Sequence, residues 1–219
     1  RKRYTGLFKW PTIGEIINSY KEGWSIFVSS LAVNLYTATN IVVLGMLTNN
    51  VIVGYYSAAD KLITCVRRGI YAVSDAIYPF ISKMMKDDIS KGLQFIKKQI
   101  FLYLVVGLIG CTSLFFFSDT IVKLLFGADY ELTVDVLRIL SFVPLAVAIS
   151  TVFGEETMLP LNMNSAYSRT LVLAAFFSLL SIFPLCYLWG AKGVAMTMLL
   201  TEFLIMIIMG GLLRKQLFQ

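Results

Sequence analysis

Long apolar runs separated by short polar clusters set the pattern of this chain. Six stretches, about 24–47, 54–82, 99–118, 133–154, 167–188 and 193–213, are each long enough to cross a hydrocarbon core, which takes roughly 20 helical residues. None alternates strictly, so helices rather than strands are expected. Thr12 to Glu15 reads as a capping box that opens a helix after Pro11. Ile13, Ile16, Ile17, Tyr20 and Trp24 then recur at helical spacing, which predicts an amphipathic elbow on the membrane interface. The stretch SDTIVKLLFG, 118–127, reads either as a second interfacial helix stopped by Gly127 or as a plain loop. Pro144 predicts a kink in the fourth stretch.

Composition turns this pattern into a class. Of 219 residues, 58% are hydrophobic and 15% charged, and the mean hydropathy is +0.76. A soluble domain is nearer half apolar and a quarter charged, so a polytopic, all-α membrane protein is predicted. Cys65, Cys111 and Cys186 all lie in apolar segments and suggest no disulfide framework. Histidine is absent, which removes imidazole bases and most mixed metal sites. The chain starts at Arg1, and RKRYTGLFKW has no apolar core like that of a signal peptide. A fragment, or the C-terminal portion of a longer chain, is therefore expected.

The 19 basic residues orient the spans. Thirteen fall on one side: Arg1, Lys2, Arg3, Lys9, Lys21, Lys83, Lys86, Lys91, Lys97, Lys98, Arg169, Arg214 and Lys215. Lys123 and Lys192 fall on the other. Positive charge accumulates inside, so both ends of the segment are predicted to be cytoplasmic. On this map residues 1–23 form a basic cytoplasmic segment with its elbow, and 24–219 a six-helix lobe.

Lys61, Arg67, Arg68 and Arg138 remain within spans. The second span is the most unusual. At 100° per residue, Ser57, Asp60, Thr64, Arg67, Arg68, Tyr71, Ser74, Asp75, Tyr78 and Ser82 share one stripe about 120° wide. Lys61 borders it, and Leu62, Ile63, Val66, Ile70, Val73, Ile77 and Ile81 take the opposite face. Arg67 and Arg68 lie near the midplane, too deep to snorkel comfortably. Asp60 and Asp75 are each seven residues from an arginine, roughly 10 Å along the axis. Two readings follow: a buried ion-pair network between helices, or a cationic, water-filled cavity that accepts an anionic group. The second is preferred, because intramembrane charge usually marks function and the planar guanidinium grips pyrophosphate.

Other polar positions carry less. Ser30, Asn34 and Thr37 share one face of the first span with Asn40 beside them, a pattern that serves interhelical hydrogen bonding more often than substrate. Asp135 and Arg138 read as a local salt bridge. Glu202, deep in the last span, is either a carboxylate that titrates for ion coupling or a packed, protonated acid. Glu155 and Glu156 read as a solvated pair at the cytoplasmic mouth. There is no phosphate-binding glycine loop, no metal-ligand spacing and no nucleophile beside a base, so no catalytic residue, metal or cofactor is assigned. Basic clusters interleaved with aromatics are also missing, which argues against nucleic acid. RKRY suits membrane lipids of the cytoplasmic leaflet instead.

Four stretches together carry a resemblance: LAVNLYTATNIVVLGMLTNNVIVGYYSAADKL (31–62), AIYPFISKMM (76–85), MLPLNMNSAYSR (158–169) and GAKGVAMTMLLTEFL (190–204). They resemble the Wzx-type O-antigen and polysaccharide repeat-unit flippases of the multidrug/oligosaccharidyl-lipid/polysaccharide exporter superfamily. The resemblance covers nearly the whole chain, and VGYYSAADKL is its most specific element. It implies one lobe, the C-lobe, of a twelve-helix transporter, lacking its N-terminal partner lobe. It further implies a bacterial inner-membrane protein that moves undecaprenyl-pyrophosphate-linked oligosaccharide from the cytoplasmic to the periplasmic leaflet. Polysaccharide polymerase and chain-length proteins are then natural partners. Carried over by position, it points to Arg67 and Arg68 in the substrate cavity, with Asp60 and Lys61 near the outer mouth. Thr64, Tyr71, Asp75, Asn34 and Asn40 line the same stripe or the facing helix.

Three other classes bound this reading. A multidrug or cation antiporter of the same superfamily favours a cavity dominated by carboxylates and aromatics. A membrane-embedded polysaccharide-assembly enzyme needs a substantial outer loop, whereas the outer loops here have about 6, 14 and 4 residues by the span limits. A purely structural six-helix subunit predicts that neutralising Arg67 and Arg68 harms assembly rather than transport.

Overall fold

A computed structural model describes residues 13–127 and 129–218. The basic start and Thr12 of the capping box lie outside these residues. Six long or medium helices follow one another: α1 (Ile13–Leu47), α2 (Asn50–Asp87), α3 (Ile89–Phe126), α4 (Glu131–Leu140), α5 (Val143–Phe153) and α6 (Asn164–Phe218). A π-helical turn, Gly154–Met158, extends α5. No strand occurs among the described residues, as expected of an all-α membrane protein.

Short polar caps set the joints. Asn49 opens α2 by accepting the backbone N–H groups of Val51 and Ile52 at 3.1 and 3.0 Å, and Asp88 opens α3 through Ser90 and Lys91 at 3.0 and 3.2 Å. The Lys91 backbone N–H, then its ammonium, hold the exposed Asp88 carboxyl below its ordinary range. That cap is complete above the range and loosens as pH falls through it.

Two expected elements merge with their neighbours. α1 runs unbroken from Ile13 to Leu47, so the interfacial elbow is the first part of a 35-residue helix and not a separate one. Residues 118–126 likewise continue α3, which Gly127 stops at φ 98°. No proline separates either segment from the helix it joins, so the helix simply propagates. Pro144 does mark a break: α4 ends at Leu140, two turn residues intervene, and the proline sits in the first turn of α5.

Four stretches are long and apolar enough to cross a membrane: Phe27–Leu47, Ile89–Phe126, Glu131–Met158 and Asn164–Leu217. α2 has the length, with 38 residues, but its charges exclude it from that group. α6 has 55 residues, far more than one crossing needs, and breaks at Gly190, where φ is 55° and ψ −130°. The break falls between the fifth and sixth expected spans.

Burial sorts the helices. Only 6% of the apolar window of α3 is buried, against 78% for Glu131–Met158. α3 is therefore an outer helix with a lipid-facing surface, and α4–α5 a central strut. Two apolar clusters form at opposite ends of the lobe. One gathers Leu44, Ile63, Leu137, Val143, Ile182 and Met198; the other gathers Tyr36, Ile81, Ile96, Met158, Ala174 and Met209. Polar ties fix the first end. Thr133 donates to the Tyr55 carbonyl at 3.0 Å, Arg138 to the Ser118 hydroxyl at 3.1 Å, and Lys192 pairs with Asp135 at 2.7 Å. The expected Asp135–Arg138 pair spans 4.0 Å; Lys192, from beyond the Gly190 break, is the closer partner.

The break also demands a close approach. A Cβ on Gly193 would fall on the carbonyl of Leu185, a backbone group that cannot swing aside. Gly193→Ala is expected to destabilise the protein by about 2 kcal/mol or more. Gly54→Ala, where a Cβ meets nothing within 4 Å, should be neutral or slightly stabilising. Thermal unfolding of the two variants in detergent checks this, and equal melting temperatures would contradict the packing at the break.

Candidate functional site

A cavity of about 750 Å³ opens between α1, α2 and α6. The stripe on α2 forms one wall: Asp60, Thr64, Arg67, Arg68, Tyr71 and Asp75 all line it. Ser30, Asn34, Thr37 and Asn40 of α1 face them, and Glu202 of α6 closes the back. Helical spacing placed these α2 residues on one face because i, i+4, i+7 and i+11 lie one above another.

Lys61 is the exception. It is exposed and does not line the cavity, since one further residue turns the side chain past the edge of the stripe. Asn40 lines the cavity but is almost fully buried, with its Oδ1 unpartnered.

The two arginines differ. Arg67 is buried and pairs with Glu202 at 3.3 Å, their side chains 10% and 4% exposed. Tyr36 donates to the same carboxylate oxygen at 3.1 Å, and Arg67 reaches the Tyr71 hydroxyl at 3.4 Å. For Arg67, then, the ion-pair reading holds, with its partner 135 residues away. Arg68 is exposed to the cavity and has no carboxylate within 4.0 Å among the described residues. It is an uncompensated guanidinium in the middle of a membrane-length helix.

The cavity as a whole is not uniformly cationic. Asp60, Asp75, Glu155 and Glu202 face it against Arg67 and Arg68, and Tyr36, Tyr56, Tyr71 and Tyr167 add phenols. Positive character is confined to the level of Arg68, with acids toward both ends.

Glu155 and Glu156 are not a solvated pair. The π-turn aims Glu155 into the cavity and Glu156 into the interior, where it is fully buried and accepts the Ser74 hydroxyl at 2.7 Å. Two adjacent acids read as surface when their partner is 82 residues distant and the inserted turn is unforeseen. Ser74 on the polar stripe was the only trace of it.

Comparison with known proteins fits this architecture. Residues 1–85 match the family described as polysaccharide biosynthesis protein. A protein of Escherichia coli (strain K12) is 31% identical over 194 residues, 89% of this chain and 47% of its own length. One from Shigella dysenteriae is 30% identical over 194 residues, 89% of this chain and 48% of its own length. Both are named as candidate O-antigen transporters. By sequence this chain is similar to both over most of its own length. The chain spans about half the length of these relatives. No solved structure matches it. The apolar helices agree with a multi-pass membrane protein, and the relatives carry transporter names rather than enzyme names.

The Arg67–Glu202 pair should be worth most when broken from one side. Arg67→Met or Glu202→Leu alone leaves an unpaired buried charge and should cost about 3–5 kcal/mol, while the double variant recovers much of that loss. Thermal unfolding of all four proteins measures the coupling; strictly additive losses would mean that the two groups do not interact.

Proposed function

We propose that the protein flips a lipid-linked oligosaccharide across the bacterial inner membrane, from the cytoplasmic to the periplasmic leaflet, and that this chain forms one lobe around the substrate path. The free guanidinium of Arg68 on the cavity wall carries the reading. A lipid-linked pyrophosphate brings at least two negative charges into a low-dielectric layer, at a cost of several kcal/mol or more if unpaired. Arg68 meets that charge with a planar, bidentate donor that stays protonated.

The rest of the cavity suits the sugar. Ser30, Asn34 and Thr37 face Thr64 and Tyr71 across it, offering hydroxyl and amide groups for hydrogen bonds while binding no fixed stereochemistry. The prenyl tail stays in lipid at the open side of the lobe. A second lobe supplies the opposite wall, and rocking of the two exposes the cavity to each leaflet in turn. Both ends of the segment are cytoplasmic on this reading, by the basic-residue asymmetry.

A second reading, cation-linked antiport of a drug-like molecule, is favoured by the four carboxylates and four tyrosines of the lining. The two readings part at Arg68, which an anionic cargo needs and a cationic cargo avoids.

The test uses the protein at its full natural length in a flippase-null strain, with Arg68→Gln and Arg67→Gln at matched membrane abundance. Arg68→Gln should fold normally yet lower surface polysaccharide roughly tenfold or more, the worth of one charge-assisted hydrogen bond, while lipid-linked repeats accumulate in the inner leaflet. Arg67→Gln should instead lose abundance. Normal polysaccharide with Arg68→Gln would remove the arginine from the substrate path.

A further inference from the structure

On the apolar face of α2, away from the polar cavity, a smaller cavity of about 340 Å³ lies between α2 and α3, floored by α5. Val66, Gly69 and Val73 belong to its α2 wall, Val106 and Gly110 to its α3 wall, and Leu145 to its floor. Among the described residues no charged side chain lines it. Val66, Val73 and Val106 are exposed along it, so it is a groove open to hydrocarbon and not a sealed void. Two glycines keep it open. A Cβ on Gly69 or on Gly110 would meet nothing within 4 Å, so close packing requires neither of them.

Two relations tie this groove to Arg68. The first is depth. Its α2 wall runs from Val66 to Val73, about 10 Å at 1.5 Å per residue, and Arg68 falls within that height. A phospholipid headgroup stays at the interface, roughly 15 Å from the middle of the hydrocarbon layer. Only the ends of its chains reach this level. An amphiphile whose charged head sits at Arg68 begins its chain here instead.

The second relation is continuity. Turning round α2 from Arg68 towards Gly69 and Val73, the surface carries Ala72, Cys65 and Ala76 at about 40°, 60° and 80°. All three are exposed and small, and none lines either cavity. A hydrocarbon chain crosses this saddle without displacing a bulky side chain.

We propose that the groove between α2 and α3 holds the first isoprene units of the cargo's tail while its pyrophosphate is on Arg68. This rests on the flippase reading and adds a second contact to it. The groove opens to lipid, so the tail never enters the polar cavity. Moving a chain from lipid into the groove yields little hydrophobic free energy, because lipid is equally apolar. The groove therefore acts by shape. It fixes the path by which the tail leaves the head, and so the orientation in which the pyrophosphate meets the guanidinium.

The test maps the tail directly. The full-length protein in phospholipid nanodiscs is irradiated with a polyprenyl pyrophosphate carrying a photoreactive group near its head, and the labelled peptides are identified by mass spectrometry. A phospholipid with the same group at the end of an acyl chain is the control. The prenyl probe is expected to label 66–73 and 106–110, and unlabelled polyprenyl pyrophosphate, but not excess phospholipid, should displace it. Gly69→Leu/Gly110→Leu fills the groove from two positions with free space around them, and should lower that labelling about tenfold. Arg68→Gln should lower it too, because the head is no longer held. Equal labelling of the groove by the phospholipid probe overturns the proposal, as does groove labelling that Arg68→Gln leaves unchanged. Specific labelling elsewhere, with Arg68→Gln still blocking export, overturns the groove and leaves the flippase reading standing. No specific labelling anywhere, with normal export in Arg68→Gln, overturns both. Should the double variant fail to fold, the wild-type map and its competition decide alone.

Discussion

One ion pair holds this lobe in register. Arg67 and Glu202 lie between the two apolar clusters, after Ile63 and before Ile81 on α2, after Met198 and before Ile205 on α6. Placing two charges there is costly, and their mutual attraction repays it only when the remaining hydrogen-bonding capacity is met. Tyr36 and Tyr71 supply part of that, drawing α1 into the same network, while the Arg67 Nε stays unpartnered. A one-turn slip of α2 against α6 would separate the charges by about 5 Å and strand both. Apolar contacts are non-directional and can partly re-form after such a slip, whereas the pair cannot.

The same pair decides which cation the cavity can offer. With Arg67 occupied, the next residue along the helix, turned 100° away, is the one left open. Two adjacent arginines thus divide into a structural member and a free one. Packing around them follows membrane rules rather than aqueous ones. Water does not drive α3 inward, so its surface stays with lipid, and the strut α4–α5 is held by polar ties to its neighbours instead. Those ties, Thr133 to Tyr55, Arg138 to Ser118 and Lys192 to Asp135, all sit at one end. The other end keeps the π-turn, where α5 is least regular.

Periodicity in the sequence reached far but in one direction only. It found the polar stripe of α2 and the facing residues of α1, because both depend on angles within single helices. Pro144 was readable for the same local reason. What it could not supply was distance across the fold: that Arg67 meets a glutamate 135 residues away, or that Asp135 prefers Lys192 to its own helical neighbour. Lys61 was misjudged by a single 100° step at the stripe's edge. Glu155 and Glu156 were misread because adjacent charges look solvated until a π-turn separates their environments, and nothing in GEETM announces one.

The balance of charge in the cavity bears directly on how transport is driven. Once Arg67 and Glu202 cancel, Arg68 faces Asp60, Asp75 and Glu155. On the proposed function, a pyrophosphate drawn to Arg68 would be repelled by three carboxylates at the same time. Positive ions held by those acids would therefore strengthen the binding of an anionic cargo. Linkage makes the effect mutual: the cargo must strengthen the binding of the ions by the same factor. Coupling of ion and substrate then needs no dedicated relay between distant sites. It follows from placing one free arginine among acids in one cavity.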